Sequence, residues 1–297
     1  MDDDFYLTNL ELRESTATGE QASGLSHASM KGMVLLSVLE LAARGEPRGA
    51  VTVLHDAGDC GDRYRSLATD LAKRGWAIAL PDLRGHGRTE GERGHSAGLA
   101  EVCRDVQEIQ DHLAYRMPDS PKVLVGQGLG ALYAAAFAIE RPGVVSALVL
   151  VAPDAKPDFT EPPLPSGLKK LLGRKPDPCD MGKITWRADQ LTGDSEQAAL
   201  WRDSELTHDQ ISRRAIQEAQ RAASDYLPRI NEAGIPILVL HGASDSIASP
   251  DGSRGLQGDQ LTVELLGGQR HHPLQDTEAQ SARARIGAWL DEVLPAT

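Results

Sequence analysis

The stretch VLVGQGLGALYAAAFA, residues 123–138, decides how this chain is read: a short apolar run ends in a glycine turn and an alanine-rich helix pattern follows. Two readings compete for that turn. Gly126, Gly128 and Ala131 keep the G-x-G-x-x-G/A spacing of a dinucleotide-binding turn. The same residues also fit a strand–turn–helix corner of the G-x-S-x-G kind, with Gly128 standing where a nucleophilic serine belongs. The choice rests on what surrounds the turn.

Outward from it, short apolar runs alternate with amphipathic patterns. Ala50–Leu54, Ala77–Leu80, Lys122–Val125 and Ala147–Val151 read as buried strands. Between them, Tyr64, Leu67, Ala68, Leu71 and Ala72 keep helical spacing, as do Leu99, Val102, Cys103, Val106, Ile109 and Leu113; residues 129–140 form a third helix. Gly75 closes the first of these helices. Strand–helix alternation implies right-handed crossovers and a mainly parallel central sheet with helices on both faces. The rhythm breaks after Pro153, where prolines accumulate and only the weaker helix patterns 196–202 and 209–223 remain. It resumes with strands at Ile235–Leu240 and Leu261–Leu266 and a closing helix carrying Ala282, Ile286, Trp289, Leu290 and Val293. The expected organisation is an α/β core over 1–152 and 229–297, with 153–228 inserted as a cap. The first 50 residues are expected to supply edge strands.

Bulk properties exclude several classes. A net charge of −12 argues against a phosphate-backbone partner, so no nucleic acid is expected. With aromatics at 4%, the core must be mostly aliphatic. The opening MDDDFYLTNLELRE lacks the basic-then-apolar pattern of a secretory leader. The longest apolar run, Leu129–Ile139, is too short to span a bilayer. Cys60, Cys103 and Cys179 are odd in number and widely spaced, as expected of reduced thiols in a cytoplasmic protein. No phosphate loop, flavin or pyridoxal signature is present, so no cofactor is expected. No histidine pair keeps H-x-x-x-H spacing beside an acid, so no metal is expected either.

A dinucleotide fold usually opens with its fingerprint. Here earlier β–α units precede the turn, although Asp154, just past the next strand, offers a carboxylate for a ribose. Four further stretches favour the other reading: HDAGDCGDRY (55–64), DLRGHGRTEGER (82–93), LHGASDSIASPDGS (240–253) and LLGGQRHHPLQD (265–276). In that order they resemble the monoacylglycerol lipases and lysophospholipases, the serine aminopeptidase-like branch of the α/β-hydrolase fold. The resemblance covers most of the core, and only WRDSEL (201–206) extends it into the insert.

Carried over residue by residue, the resemblance places the acid at Asp245 and the base at His271. His272 is the alternative base; the spacing to Asp276, where the family has Glu, favours His271. The oxyanion donors fall on the backbone N–H groups of Ala57 and Leu129. The nucleophile falls on Gly128, which has none. Asp56 departs as well, standing where the family has the glycine of its H-G pair. A carboxylate there opposes a developing oxyanion if it points inward, and is innocuous if it points out.

The expected function is therefore an inactive or very weak carboxylic-ester hydrolase that still binds an acyl or other small apolar ligand. One alternative is a serine hydrolase whose serine was replaced artificially. Another is a non-hydrolytic or water-mediated enzyme using the His271–Asp245 pair. Cys60, on the oxyanion-side loop, is read as an inert thiol, and Ser244 as shaping the turn that holds the acid. His86 and His95 are read as loop hydrogen-bonders, His112 and His208 as helix-surface residues, and His55 and His241 as packing beneath the site. PLPSGLKKLLGRK (163–175) mixes leucines with basic residues, so at most a peripheral membrane contact is expected there. Trp186 and Trp201 line the pocket or anchor the cap.

Overall fold

The computed structural model describes residues 4–13, 33–96, 98–166, 173 and 175–296. Its strands are β1 (Phe5–Arg13), β2 (Met33–Leu41), β3 (Gly49–Leu54), β4 (Trp76–Pro81), β5 (Lys122–Gln127), β6 (Ala147–Val151), β7 (Met181–Lys183), β8 (Gln210–Ser212), β9 (Ile237–Gly242) and β10 (Leu261–Leu266). The helices are α1 (Arg65–Ala72), α2 (Leu99–Arg116), α3 (Leu129–Glu140), α4 (Ala188–Leu191), α5 (Ser195–Asp203), α6 (Arg213–Asp225), α7 (Pro250–Arg254) and α8 (Ala279–Val293). Eight strands form one sheet in the order β1-β2-β4-β3-β5-β6-β9-β10. From β4 to β10 every pairing is parallel, while β1–β2 and β2–β4 are antiparallel. This is the α/β-hydrolase fold.

Period-2 alternation explains how the sheet is covered on both faces. Val51, Val53, Val123 and Val125 point to the side holding Leu67 and Leu71 of α1 and Ile286 and Leu290 of α8. Leu54 and Leu124 point the opposite way, toward Val102 and Val106 of α2 and the alanines of α3. Aliphatic side chains make up most of both layers, around the few large aromatics Tyr64, Trp76 and Phe137.

The β5–α3 corner shows what its glycines are for. A Cβ on Gly126 would lie 2.3 Å from the Gly130 carbonyl oxygen, and one on Gly130 would lie 2.3 Å from that of Leu54. The glycines thus let α3 cross close behind β3 and β5. This sets aside the dinucleotide reading: the turn lies in the middle of the hydrolase sheet, and its spacing reflects strand–helix packing. Asp154 accepts a hydrogen bond from the Lys156 N–H at 2.9 Å.

Between β6 and β9 the chain builds the β7–β8 pair and α4–α6. The helix expected over 209–223 begins later, because Ile211 pairs with Gly182 in the small sheet. Ser212 then caps α6, its hydroxyl accepting from the Ala215 N–H at 3.2 Å. In the basic stretch, residues 167–172 and Arg174 lie outside the described residues, while Leu164 is exposed. No helix among the described residues is long and apolar enough to cross a membrane.

Candidate active site

The site forms where β3, β5 and β9 end. Strand β5 runs into Gly128, whose φ of +53° and ψ of −115° belong to glycine far more than to any residue with a side chain. Helix α3 starts at the next residue, so the Leu129 N–H has no partner within the helix and points into the site. Across from it, β3 ends at Leu54 and the following loop presents the Ala57 N–H. His55 fixes that loop: its Nε2 accepts from the Leu83 N–H at 2.9 Å, and its Nδ1–H donates to the Asp56 carbonyl at 2.7 Å.

Asp56 points inward. Its Oδ1 accepts from the Ala57 N–H and the Leu129 N–H, both at 2.7 Å. Both donors assigned to an oxyanion therefore already hold a carboxylate oxygen. Its Oδ2 faces two imidazoles, His271 Nε2 at 2.9 Å and His272 Nε2 at 3.1 Å. A carboxylate only accepts, so both nitrogens carry hydrogen in this network. Asp56, His271 and His272 are each about 1% exposed. A Cβ on Gly128 would fall 2.1 Å from Asp56 Oδ1 and 2.2 Å from its Cγ. The two departures noted in the sequence are thus one feature: the carboxylate occupies the space a side chain at 128 would need.

The structure brings the expected acid and base together. Asp245 Oδ2 accepts from His271 Nδ1 at 2.7 Å, and the other nitrogen of that ring faces the elbow. His271, not His272, therefore carries the link to the acid; His272 Nδ1 has no hydrogen-bond partner among the described residues. The Ile247 and Ala248 N–H groups hold Asp245 Oδ1 at 2.8 and 3.1 Å. Asp276 secures the histidine loop, accepting at 2.6 Å from the N–H groups of both Gly193 and Arg270.

Charge follows from this arrangement. Burial disfavours ionised Asp56, but the hydrogen bonds from His271 and His272 override it and hold the carboxyl well below the usual carboxylate range. Asp245 is held low against burial in the same way, by the His271 charge and by hydrogen bonds from His241 and His271. Burial also opposes a charged His271, yet Asp245 and Asp56 raise its pKa to about 10. The resting site is therefore an imidazolium between two carboxylates.

The structure adds to the reading of His241 and His208 and brings in Gln127, while Cys60 and Ser244 stay outside the chemistry. His241 does more than pack beneath the site: its Nε2 lies 3.1 Å from Asp245 Oδ2 and its Nδ1 lies 2.7 Å from Ser253 Oγ. Its place four residues before Asp245 was the available signal. Gln127 was also missed; its amide donates to the His271 carbonyl at 2.8 Å. His208 lies in the loop before β8, its ring centroid 4.7 Å from that of His86, instead of on a helix surface. Cys60 is buried, and desolvation together with Asp59 pushes its thiol far above the ordinary value, so it is no thiolate. Ser244 is exposed, its N–H donating to the Gln269 carbonyl at 2.8 Å.

Ligand atoms of Asp56, His271 and His272 lie within 4.8 Å of one another, so these three could hold a cation. The sequence rule missed them because H-x-x-x-H spacing looks along one helix face, whereas here adjacent histidines meet an aspartate from a distant loop. Beside them is a small cavity lined by Gly128, Leu129, Leu132, Phe159, Trp186 and His271 among others. The Trp186 ring meets His271 edge-on at 5.4 Å. A second small cavity shares Leu129 and reaches Val102 and Tyr133.

Comparison with known proteins agrees with this fold. Residues 45–278 match the model of the serine aminopeptidase, S33, family, and the chain belongs to that family. It is 25% identical to a monoacylglycerol lipase of Mycolicibacterium smegmatis over 250 residues, 82% of this chain and 89% of the relative. A monoglyceride lipase of Mus musculus is 25% identical over 270 residues, covering 85% of both chains. Among solved structures, the monoacylglycerol lipase of Paleococcus ferrophilus superposes with a TM-score of 0.71 at 25% identity, covering 86% of this chain and 98% of that one. The protein is a monoglyceride lipase-like α/β-hydrolase.

Proposed function

We propose that this protein does not hydrolyse carboxylic esters through an acyl-enzyme, and that its capped pocket takes a small apolar ligand against a fixed carboxylate–imidazolium pair. The observation that carries this reading is the Asp56 carboxylate bonded at 2.7 Å to both oxyanion donors. A substrate carbonyl would have to displace an ion from those N–H groups, and its developing negative charge would meet another negative charge. Gly128 supplies no hydroxyl to begin the attack. For the ligand, the smaller cavity offers Leu129, Leu132, Phe159 and Trp186 as an apolar wall.

The alternative of a serine enzyme silenced by one replacement fares less well. Serine restored at 128 would collide with Asp56, so a single artificial change does not account for the pair. The test is hydrolysis of p-nitrophenyl butyrate and of a monoacylglycerol by the wild type, Gly128→Ser and the double variant Asp56→Gly/Gly128→Ser. The wild type and Gly128→Ser should stay near background, while the double variant should gain on the order of 10³-fold or more, part of the roughly 10⁶-fold a triad serine supplies. Ester turnover by the wild type at the double variant's rate would refute the reading.

A further inference from the structure

Asp56 is more than an obstruction. Its two oxygens are differentiated: Oδ1 sits on two backbone N–H groups, and Oδ2 faces two imidazole N–H groups beside an apolar cavity. A carboxylate so divided has what covalent catalysis on an alkyl carbon needs. We propose that Asp56 is itself the nucleophile of this site, opening a small epoxide by attack of Oδ2 on a ring carbon to form an alkyl ester that water then hydrolyses. The proposal rests on the reading that carboxylic esters are not the substrate.

The chemistry closes without a co-reactant other than water. A carboxylate is a weak nucleophile, so the electrophile must be activated, and ring strain supplies that activation. As the epoxide enters, an imidazole N–H turns from Oδ2 to the ring oxygen, freeing the lone pair that attacks. The Oδ2–C bond forms, the ring C–O bond breaks, and the alkoxide takes the His271 proton. Esterification removes the negative charge of Asp56, and with it part of what held that proton, so His271 stays neutral with Asp245 behind it. It is then a competent base. Water gives it a proton and attacks Cγ of the ester. The oxyanion that develops is Oδ1, already seated on the Ala57 and Leu129 N–H groups. Collapse expels the diol's alkoxide, which takes the proton of the new carboxyl group. The products are a vicinal diol, the Asp56 carboxylate and the His271 imidazolium.

The resting protonation selects the substrate class. Both His271 ring nitrogens face carboxylate oxygens, Nδ1 at 2.7 Å from Asp245 and Nε2 at 2.9 Å from Asp56, and a carboxylate only accepts, so the site begins with an acid beside the nucleophile. An alkoxide leaving group needs that acid, whereas a halide does not. The small cavity beside Asp56, walled by Leu129, Leu132, Phe159 and Trp186, favours a short apolar chain.

The experiment uses the full chain with 1,2-epoxyhexane. Diol formation is measured, and a single turnover is run in H₂¹⁸O with excess enzyme, followed by peptide mass spectrometry. The expected result is diol formation with ¹⁸O in the Asp56 peptide. Asp56→Asn should reduce turnover by about 10³-fold or more. His271→Gln should lose diol formation to a similar extent, since His271 is both the acid of the first step and the base of the second. Wild-type labelling keeps the test valid should either variant fail to fold. No diol and no adduct from the wild type would overturn the proposal. So would ¹⁸O found only in the diol, the mark of direct attack by water. Activity abolished by EDTA and restored by Zn²⁺ would assign Asp56, His271 and His272 to a cation and equally refute a carboxylate nucleophile. Ester turnover, measured separately, tells a failure of this proposal from a failure of the reading beneath it.

Discussion

On one side of His271, Nδ1 meets Asp245 at 2.7 Å in the arrangement the serine-hydrolase resemblance implies. On the other side, Nε2 meets not a serine hydroxyl but the Asp56 carboxylate at 2.9 Å. The acid half keeps its role with its supports: the Ile247 and Ala248 N–H groups, His241, and the loop held by Asp276. In the nucleophile half, Asp56 and Gly128 stand where the resemblance implies a glycine and a serine. Each is intelligible only beside the other, because the carboxylate fills the volume a Cβ at 128 would take. The comparison teaches that a missing nucleophile should be read with its neighbours. Gly128 alone reads as an absent side chain; Gly128 with Asp56 is one interlocked arrangement.

The largest effect that could break this comparison is on turnover, in the double variant described above. The next is on stability. Gly128→Ser brings a Cβ to 2.1 Å from Asp56 Oδ1 at a residue whose φ is +53°, and should cost roughly 3 kcal/mol in urea unfolding, as overpacking and backbone strain combine. In the Asp56→Gly background the steric share of that cost should vanish. The cycle should then show coupling of about 2 kcal/mol, within the range for residues in contact. Additive costs would mean that the two positions are independent, and the pairing argued here would fail.

The pH dependence sharpens the comparison further. Asp56 and Asp245 titrate below their ordinary values, so their contribution is present above the usual carboxylate range and is lost as pH falls through their folded-state values. His271 is raised from 6.5 to about 10, so its contribution is complete below pH 6.5 and is lost as pH rises through about 10. Melting temperature should therefore plateau between about pH 5 and 6.5, falling on the acid side and again, gradually, toward pH 10. Asp56→Asn should flatten the alkaline flank by removing one of the two charges that hold the His271 proton. An unchanged alkaline flank would show that Asp245 alone holds it.

Much of this was legible from residues alone, for identifiable reasons. The parallel sheet follows from strands such as Ala50–Leu54 and Ala147–Val151, whose apolar residues have only a covered sheet to enter. Asp245, His271, Ala57 and Leu129 were readable because local motifs fix their place on strand ends, and the structure brings them together. The direction of the Asp56 side chain was not readable. It depends on His55 holding the Asp56 carbonyl and on imidazoles more than 200 positions away, and no local pattern encodes such contacts. The β8 strand was lost inside a helical pattern because Ile211 suits either period, and its β7 partner lies 29 residues earlier at Gly182.

The smallest effect expected separates the loop that carries the base from the base itself. Asp276 touches neither Asp56 nor Asp245 among the bonds it makes. Its oxygens accept from the Gly193, Arg270 and Thr277 N–H groups at 2.6, 2.6 and 2.8 Å. Its action on the site is therefore mechanical, tying the segment before α5 to the residue preceding His271. Asp276→Asn keeps the shape but replaces one accepting oxygen with a donor, which then faces a backbone N–H. The cost should be about 1–2 kcal/mol, that of a buried charge-assisted bond lost. Because the charges around His271 are untouched, the alkaline flank of the stability profile should keep its midpoint while the whole curve drops. A shifted midpoint would instead mean that Asp276 sets the position of the ring as well as its loop. The acid half would then be as tightly interdependent as the Gly128–Asp56 half.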